Sequence, residues 1–411
     1  MTLQRDLYTA RPSRRAATEV NLFVRAPKLR PILLLLLSLL LPIGFALASH
    51  GLAVAAELTP LVRNVPDVSE FTPLPEFPVC EASAIVGQPC TAAGKTRCVL
   101  VGDNEEEETL FEYTLGPSGL ASKSPPWKRK LADEVEDIEA LTLLDGDVIV
   151  VGSHGRQKDC TRDEERLRIL RARSGSGARL TSVAKIRLED TERWSERLGA
   201  CAKELIRLPD GASAEQIALR DGVCRAIAEA EAAAGEKELP KSDEAGRAKC
   251  AATFNVEGAL VIADDAGKGR LWLGLRAPLF EKQAILLRVA DLASSDEGIR
   301  FDGVATIDLG GLGIRDLATD VDWIYGIAGT MADGDSSTLW RAAATDLKSG
   351  GRITSALTFV NDLPGGAEGL FVQTPPGQAL IVIDGEKNGT SCIEPARQVV
   401  TGVPTFRRMR K

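Results

Sequence analysis

The chain has 411 residues, with 50 Lys/Arg against 58 Asp/Glu and only two histidines. Residues 1–55 hold seven of the basic groups and two of the acidic ones, so the remainder carries a net charge of −13. A chain this acidic lacks the basic surface that phosphate contacts need, which excludes a general nucleic-acid binder. A single histidine beyond residue 55, His154, excludes zinc sites built on several histidines and His-pair phosphatase chemistry.

The N-terminus reads as a secretory signal peptide over residues 1–55. A basic lead is followed by the near-pure leucine run Ile32 to Leu41. Small residues come next, with Ala46-Leu47-Ala48 and Ala53-Val54-Ala55 both suiting cleavage. No charge interrupts Pro31 to Ala56, so an uncleaved membrane anchor is the alternative and the one expected route to a membrane. The expected location is periplasmic or secreted.

Over residues 56–411 a short element recurs, in which Glu and a small residue lead into an apolar strand. It appears as Glu81-Ala82-Ser83, Glu139-Ala140-Leu141, Glu257-Gly258-Ala259 and Glu368-Gly369-Leu370, with Arg315-Asp316-Leu317 as a fifth copy. Each copy leads to a second aliphatic strand: Val99 to Asp103, Val148 to Gly152, Leu271 to Leu275, Ile324 to Ala328 and Leu380 to Asp384. Further apolar runs follow, as in Leu167 to Ala172 with Ser182 to Leu188, and Ala284 to Val289 with Gly303 to Leu309. Repetition at fifty-odd residues with four strands per unit predicts an all-β protein, a β-propeller of about five four-stranded blades. One step between copies is about twice the others, which leaves six blades as the alternative. The intervening residues 191–249 are rich in Ala, Glu, Lys and Arg. There Trp194, Leu198, Cys201, Leu205 and Ile206, and again Ile217, Cys224 and Ile227, fall at helical spacing. This predicts a helical insertion after blade two.

All eight cysteines follow the leader, which suits disulfides in an oxidising compartment. Cys90 and Cys98 flank the first turn of blade one. Cys201 and Cys224 sit in the two halves of the insertion. Cys160 and Cys250 bear the same relation to adjoining blades two and three as Cys392 and Cys80 bear to blades five and one of a closed ring. The expected bridges are Cys80–Cys392, Cys90–Cys98, Cys160–Cys250 and Cys201–Cys224.

The loop entering a first strand and the loop leaving a second strand open on one face of a propeller. The candidate mouth of the channel is therefore Glu81, Asp103, Asn104, Glu139, His154, Arg156, Glu257, Arg276, Arg315, Asp316 and Glu368. Four carboxylates around one axis need compensation. Three arrangements are open: a hard cation such as Ca²⁺ on Glu81, Glu139, Glu257 and Glu368; neutralisation by Arg276, Arg315 and backbone N–H groups; or glutamates that only brace loops. Ser153 and His154 are adjacent in an extended strand and point to opposite sides, so they do not form a dyad. Asp333, Asp335 and Ser337 lack the closing Glu of a calcium loop. Asn388-Gly389-Thr390 fits a glycosylation acceptor.

The segments Val256-Glu257-Gly258, Gly274 to Pro278, Asp308 to Leu317, Ile327 to Thr330 and Gly152 to Arg156, with the Glu-led starts at 81 and 139, resemble the bacterial domain-of-unknown-function family 3616. The resemblance spans residues 78 to 390 without the insertion and implies a bacterial protein with no established activity. Gly102-Asp103-Asn104-Glu105 is more loosely similar to phytase-like propellers, which bind Ca²⁺ and hydrolyse phosphoesters; their catalytic carboxylates have no counterparts here residue by residue. Two functions are expected in order. The first is a module binding a small ligand, glycan or protein on its channel face. The second is a calcium-assisted hydrolase of phosphoesters or esters.

Overall fold

A computed structural model describes residues 72–74, 79–90, 97–104, 106–122, 125–173, 180–187, 201, 205–235, 238–240, 242–292, 299–330, 336–373, 377–388 and 391–402. The leader, Glu105, Trp194, Leu198, Asp333 and Asp335 fall outside them.

The chain is a five-bladed β-propeller. A short strand, β1 (Thr72–Pro73), precedes blade one, which is β2 (Ala82–Gln88), β3 (Cys98–Asp103), β4 (Thr109–Thr114) and β5 (Trp127–Lys130). Blade two is β6 (Ile138–Leu144), β7 (Asp147–Gly152), β8 (Arg168–Arg173) and β9 (Thr181–Arg187). The helices α1 (Ala214–Ala234) and α2 (Glu244–Ala251) follow. Blade three is β10 (Asn255–Ala263), β11 (Gly269–Ala277), β12 (Ala284–Val289) and β13 (Phe301–Ile307). Blade four runs through β14 (Gly313–Thr319), β15 (Trp323–Gly329) and β16 (Ser337–Ala343). It then detours through α3 (Ala344–Ser349) and β17 (Gly351–Ile353), which pairs in parallel with β13, and finishes with β18 (Leu357–Leu363). Blade five is β19 (Ala367–Gln373), β20 (Gln378–Ile383) and β23 (Arg397–Gly402), with the hairpin β21 (Glu386–Asn388) and β22 (Ser391–Glu394) between the last two. Its fourth strand is β1, so the two ends of the ring share one sheet.

Apolar patterning explains the layers. The second strands β3 and β7 are buried along their whole length, because both faces meet a neighbouring blade. Outer strands alternate or are exposed, as in β18 and in β5, where Trp127 is on the surface. Five hydrophobic clusters fill the five interfaces between blades, with Leu100, Leu141 and Val150 between blades one and two and Trp272, Leu317 and Trp340 between three and four. The first strands contact one another in a ring, β2 on β6, β6 on β10, β10 on β14, β14 on β19 and β19 on β2.

The double-length step holds helices, not a sixth sheet, among the described residues. Ser213 opens α1 with a capping box: its hydroxyl accepts from the Gln216 N–H, and the Gln216 side chain accepts from the Ser213 N–H. Leu219, Val223 and Ile227 of α1 then bury against Ile149, Phe254 and Leu273 of blades two and three. Of the helical spacing expected through Cys201, Leu205 and Ile206, the described residues Cys201 and Leu205 are π-helical. Ile206 closes a turn onto the Cys201 carbonyl and bridges to Phe301, because this stretch is captured by the edge of blade three. The four disulfides are Cys80–Cys392, Cys90–Cys98, Cys160–Cys250 and Cys201–Cys224, and no cysteine is free. Such bridges persist in oxidising compartments. Among the described residues no helix is long and apolar enough to cross a membrane.

Candidate functional site at the channel mouth

Every first strand begins with a β-bulge, and the bulged residues are Ser83, Glu139, Glu257, Arg315 and Glu368. A bulge leaves one residue without a partner and turns its side chain out of the pleat. Here it sets five polar side chains at equivalent places around the axis. The repeat alignment is corrected at blade one: Ala82 pairs with Asp103 and Ala84 with Gly102, so the counterpart of Glu139 is Ser83 and Glu81 lies two residues earlier. Ser83 is buried, and its hydroxyl donates to the Ile138 carbonyl of blade two.

At this end the channel opens into a cavity of about 630 Å³. Blade one contributes Glu81 and Asn104 to its wall, and blade two Glu139 with the preceding Glu136 and Asp137. Blade three contributes Asn255, Glu257 and Arg276, and blade five Glu368 and Asp384. Arg156 and Lys158 of the loop after β7, with Arg247 of α2, form the insertion side. The other end of the channel is different. A cavity of about 210 Å³ there is lined by Val86, Leu143, Val261, Ala318 and Phe371, which lie three or four residues past the bulges.

Two of the ring carboxylates are held by arginine. On β10 and β11, Asn255 pairs with Ala277 and Val256 with Leu275, so Glu257 and Arg276 are both left out of the ladder and face each other. Arg276 Nη1 donates to Glu257 Oε1 at 2.6 Å, and Asn255 Nδ2 donates to the same oxygen at 3.1 Å. A Cβ at Gly313 would stand 2.1 Å from the Arg276 carbonyl, so only glycine lets blade four start this close to Arg276. Arg315 donates through Nη1 to Glu368 of the next blade and through Nη2 to the Thr330 carbonyl at 3.4 Å. Glu139 has no hydrogen bond or ion pair among the described residues. Its carboxyl is pushed well above the usual carboxylate range by burial first, then by Asp137, Glu257 and Glu368, with Arg276 opposing. Asp384 is pushed up in the same way by burial, Glu368, Glu81 and Asp103, against Arg315.

Four acceptor oxygens on this wall are buried without a partner: Asn104 Oδ1, Asn255 Oδ1, Glu257 Oε2 and Asp384 Oδ1. Asp103, Asp316 and His154 stand behind the wall. Asp103 accepts from the Cys80 N–H at 2.8 Å. Asp316 is fully buried and accepts from the N–H groups of Leu317 and Leu370 at 2.7 and 2.6 Å; burial raises its pKa well above normal, those two bonds oppose, and Glu257 adds. His154 is buried, its Nδ1 lies 2.6 Å from the Gly152 carbonyl, and its Nε2 is unpartnered. Burial lowers its pKa to about 4, against the Gly152 bond. Ser153 accepts from the Gly155 N–H and does not engage His154. Arg156 is committed to Glu231 of α1 at 3.1 Å and to the Cys160 carbonyl at 3.1 Å. Among the described residues no three His, Cys, Asp or Glu side chains converge as a metal site.

Glu136, Asp137, Asn255, Asp384 and Arg247 belong to the wall without a motif of their own. Asn255 opens β10 and Asp384 follows the end of β20, and those strand-end positions were the available signal for them.

Residues 126–384, more than half of the chain, match the family described as "Protein of unknown function (DUF3616)". The chain belongs to this family. The DUF3616 match takes in blades two to four and the first two strands of blade five, and with them most of the mouth. No curated protein matches the chain. Among solved structures it is similar to a GH43 β-1,3-galactosidase held with galactodeoxynojirimycin, at 11% identity over 73% of this chain and 83% of that one, with a TM-score of 0.38. An endo-arabinase from Bacteroides thetaiotaomicron is similar at 10% identity over 82% and 98%, with a TM-score of 0.38. A protein of unknown function from Dyadobacter fermentans is similar at 10% identity over 83% and 84%, also with a TM-score of 0.38. At these TM-scores none of the three adds to what the sheets themselves show.

Proposed function

We propose that this DUF3616 propeller is an exported binding module, periplasmic or secreted, whose ligand seats in the mouth of its channel. One observation carries the reading. The 630 Å³ cavity gathers polar side chains from four blades and the insertion, and four of their acceptor oxygens are buried without partners. Buried polar atoms normally find partners, and an unmet one costs about 1–3 kcal/mol. A ligand that supplies donors recovers that cost, and the volume suits a small molecule or one end of a larger partner. The Arg276–Glu257 and Arg315–Glu368 pairs fix the wall before anything binds, which favours recognition through pre-organisation.

The second reading, a calcium-assisted hydrolase of phosphoesters or esters, is favoured by one feature, the Glu139 carboxyl, which burial and the neighbouring Asp137, Glu257 and Glu368 push well above the usual carboxylate range. A thermal-shift panel of soluble glycans, small metabolites and basic peptides separates the two. A true mouth ligand raises the melting temperature by mass action, and the effect disappears in Asn104→Trp, which fills the cavity from a half-buried loop position. Hits that survive Asn104→Trp remove the mouth from the proposal. Turnover of nitrophenyl phosphate or acetate that depends on calcium and on Glu139 moves the protein to the hydrolase reading.

A further inference from the structure

We propose that the channel mouth takes an organic cation, the ammonium or guanidinium group of a small molecule or of a basic side chain. The inference deepens the binding reading and rests on it. Its starting point is the kind of atom left unpartnered. Glu257 is 2% exposed and lines the cavity, yet only its Oε1 is bonded; Oε2 has no partner. Asn255 Oδ1, Asn104 Oδ1 and Asp384 Oδ1 are unpartnered on the same wall. All four are acceptors. A hydroxyl brings an acceptor with its donor, so a polyol would leave its own oxygens unmatched against them. Ammonium and guanidinium groups bring donors only, three and five N–H bonds. The unpartnered donors of the wall, Arg156 Nε and Arg247 Nε, come from the insertion side and suit the uncharged end of the same ligand.

Charge points the same way. Glu139 faces Asp137, Glu257 and Glu368, with Arg276 as the opposing cation. Asp384 faces Glu368, Glu81 and Asp103, with Arg315 opposing. Arg166 pairs with Asp137 at 2.8 Å, and with it the arginines are still outnumbered by these acids; burial and that repulsion push the Glu139 and Asp384 carboxyls up. An entering cation relieves that repulsion and favours the ionised carboxylates, releasing to solvent whatever protons they hold. A hard divalent ion needs several oxygens drawn together, and among the described residues no such group forms.

The test uses N-acetyl-L-arginine methylamide as the probe and its citrulline counterpart as the uncharged isostere. Titration calorimetry of the purified protein at pH 7 is run in two buffers of different ionisation enthalpy. The expected result is saturable binding of the arginine probe, roughly tenfold or more weaker binding of the citrulline probe, and a heat that differs between buffers because protons are released. Glu139→Gln breaks no ion pair; it should weaken the arginine probe and reduce the proton release. Glu257→Gln should weaken it further. Equal binding of the two probes, or arginine binding indifferent to both variants, overturns the proposal. If calcium chloride or a neutral oligosaccharide binds instead and Asn104→Trp abolishes it, the cation falls and the mouth survives as a ligand site. If none of the four binds, both readings fall.

Discussion

His154 shows how one buried side chain sets a pH response. It has a left-handed backbone (φ 57°), lies edge-on to Phe254 with ring centroids 6.5 Å apart, and has no partner for Nε2. Burial resists its protonation down to about pH 4, while an unfolded chain protonates near 6.5. Between those values the unfolded state binds more protons, so stability falls as pH drops, by on the order of 3 kcal/mol across the window. Glu139, Asp316 and Asp384 act in the opposite sense: their folded pKa values are raised, so their contribution is lost as pH rises through those values. Comparison with His154→Asn, which tolerates the left-handed backbone, separates the two. Urea unfolding from pH 7 to 4.5 should lose stability more steeply in the natural protein than in the variant. Parallel slopes would show that His154 titrates normally in the fold.

The strands and the insertion differ in how much of them is legible in the sequence. Second strands such as Val148 to Gly152 are buried on both faces, and a continuous aliphatic run ending in glycine announces them. Bulges are harder to see, because the unpaired residue is defined by its partner strand. Glu81-Ala82 and Glu139-Ala140 look equivalent until Ala82 is paired with Asp103, and only then does Ser83 take the ring position. Among Glu257, Glu368, Arg276 and Arg315 the sequence leaves cation, arginine and bracing arrangements open, and only the strand pairing shows which arginine meets which glutamate, Arg276 with Glu257 and Arg315 with Glu368. Glu231 has no local signal at all, since it sits among Ala and Glu residues that read as a solvated helix face. It is nonetheless buried, and it accepts from Arg156, Arg162 and the Phe254 N–H at 3.1, 2.5 and 3.1 Å. It therefore ties α1 to the loop after β7 and to the entry of β10. Glu231→Gln removes the buried charge opposite two part-buried arginines, a change that costs up to about 3–5 kcal/mol when a buried pair is broken. Amide exchange should show α1 losing protection while β14 and β15 of blade four keep theirs. Uniform loss across all five blades would mean that Glu231 supports the whole ring and not the insertion alone.

At the scale of the molecule the ring must hold itself shut. Four of its interfaces join blades consecutive in the chain, and the fifth joins blade five to blade one through residues three hundred positions apart. The strand that closes it, β1, is only Thr72 and Pro73, set against Gln398 and Arg397, too short to leave any pattern in the sequence. Backbone bonds from Leu74 to the Ala396 carbonyl and from Gly385 to the Cys80 carbonyl extend the seam, both at 2.8 Å. The apolar cluster joining Leu380 and Val382 to Ile85, Val99 and Phe111 fills it. Cys80–Cys392 then fastens the seam across a sequence separation of 312 residues, whereas Cys90–Cys98 closes only 8. In the chain-entropy treatment the long bridge stabilises by up to about 5 kcal/mol and the short one by about 2–3 kcal/mol. Cys80→Ala with Cys392→Ala should therefore lower the unfolding midpoint more than Cys90→Ala with Cys98→Ala. Exchange protection should fall first in β20 and β23, where the seam opens, and last in blade three on the far side. Equal losses from the two double variants, or protection lost first in blade three, would place the weak point of the propeller somewhere other than its closure.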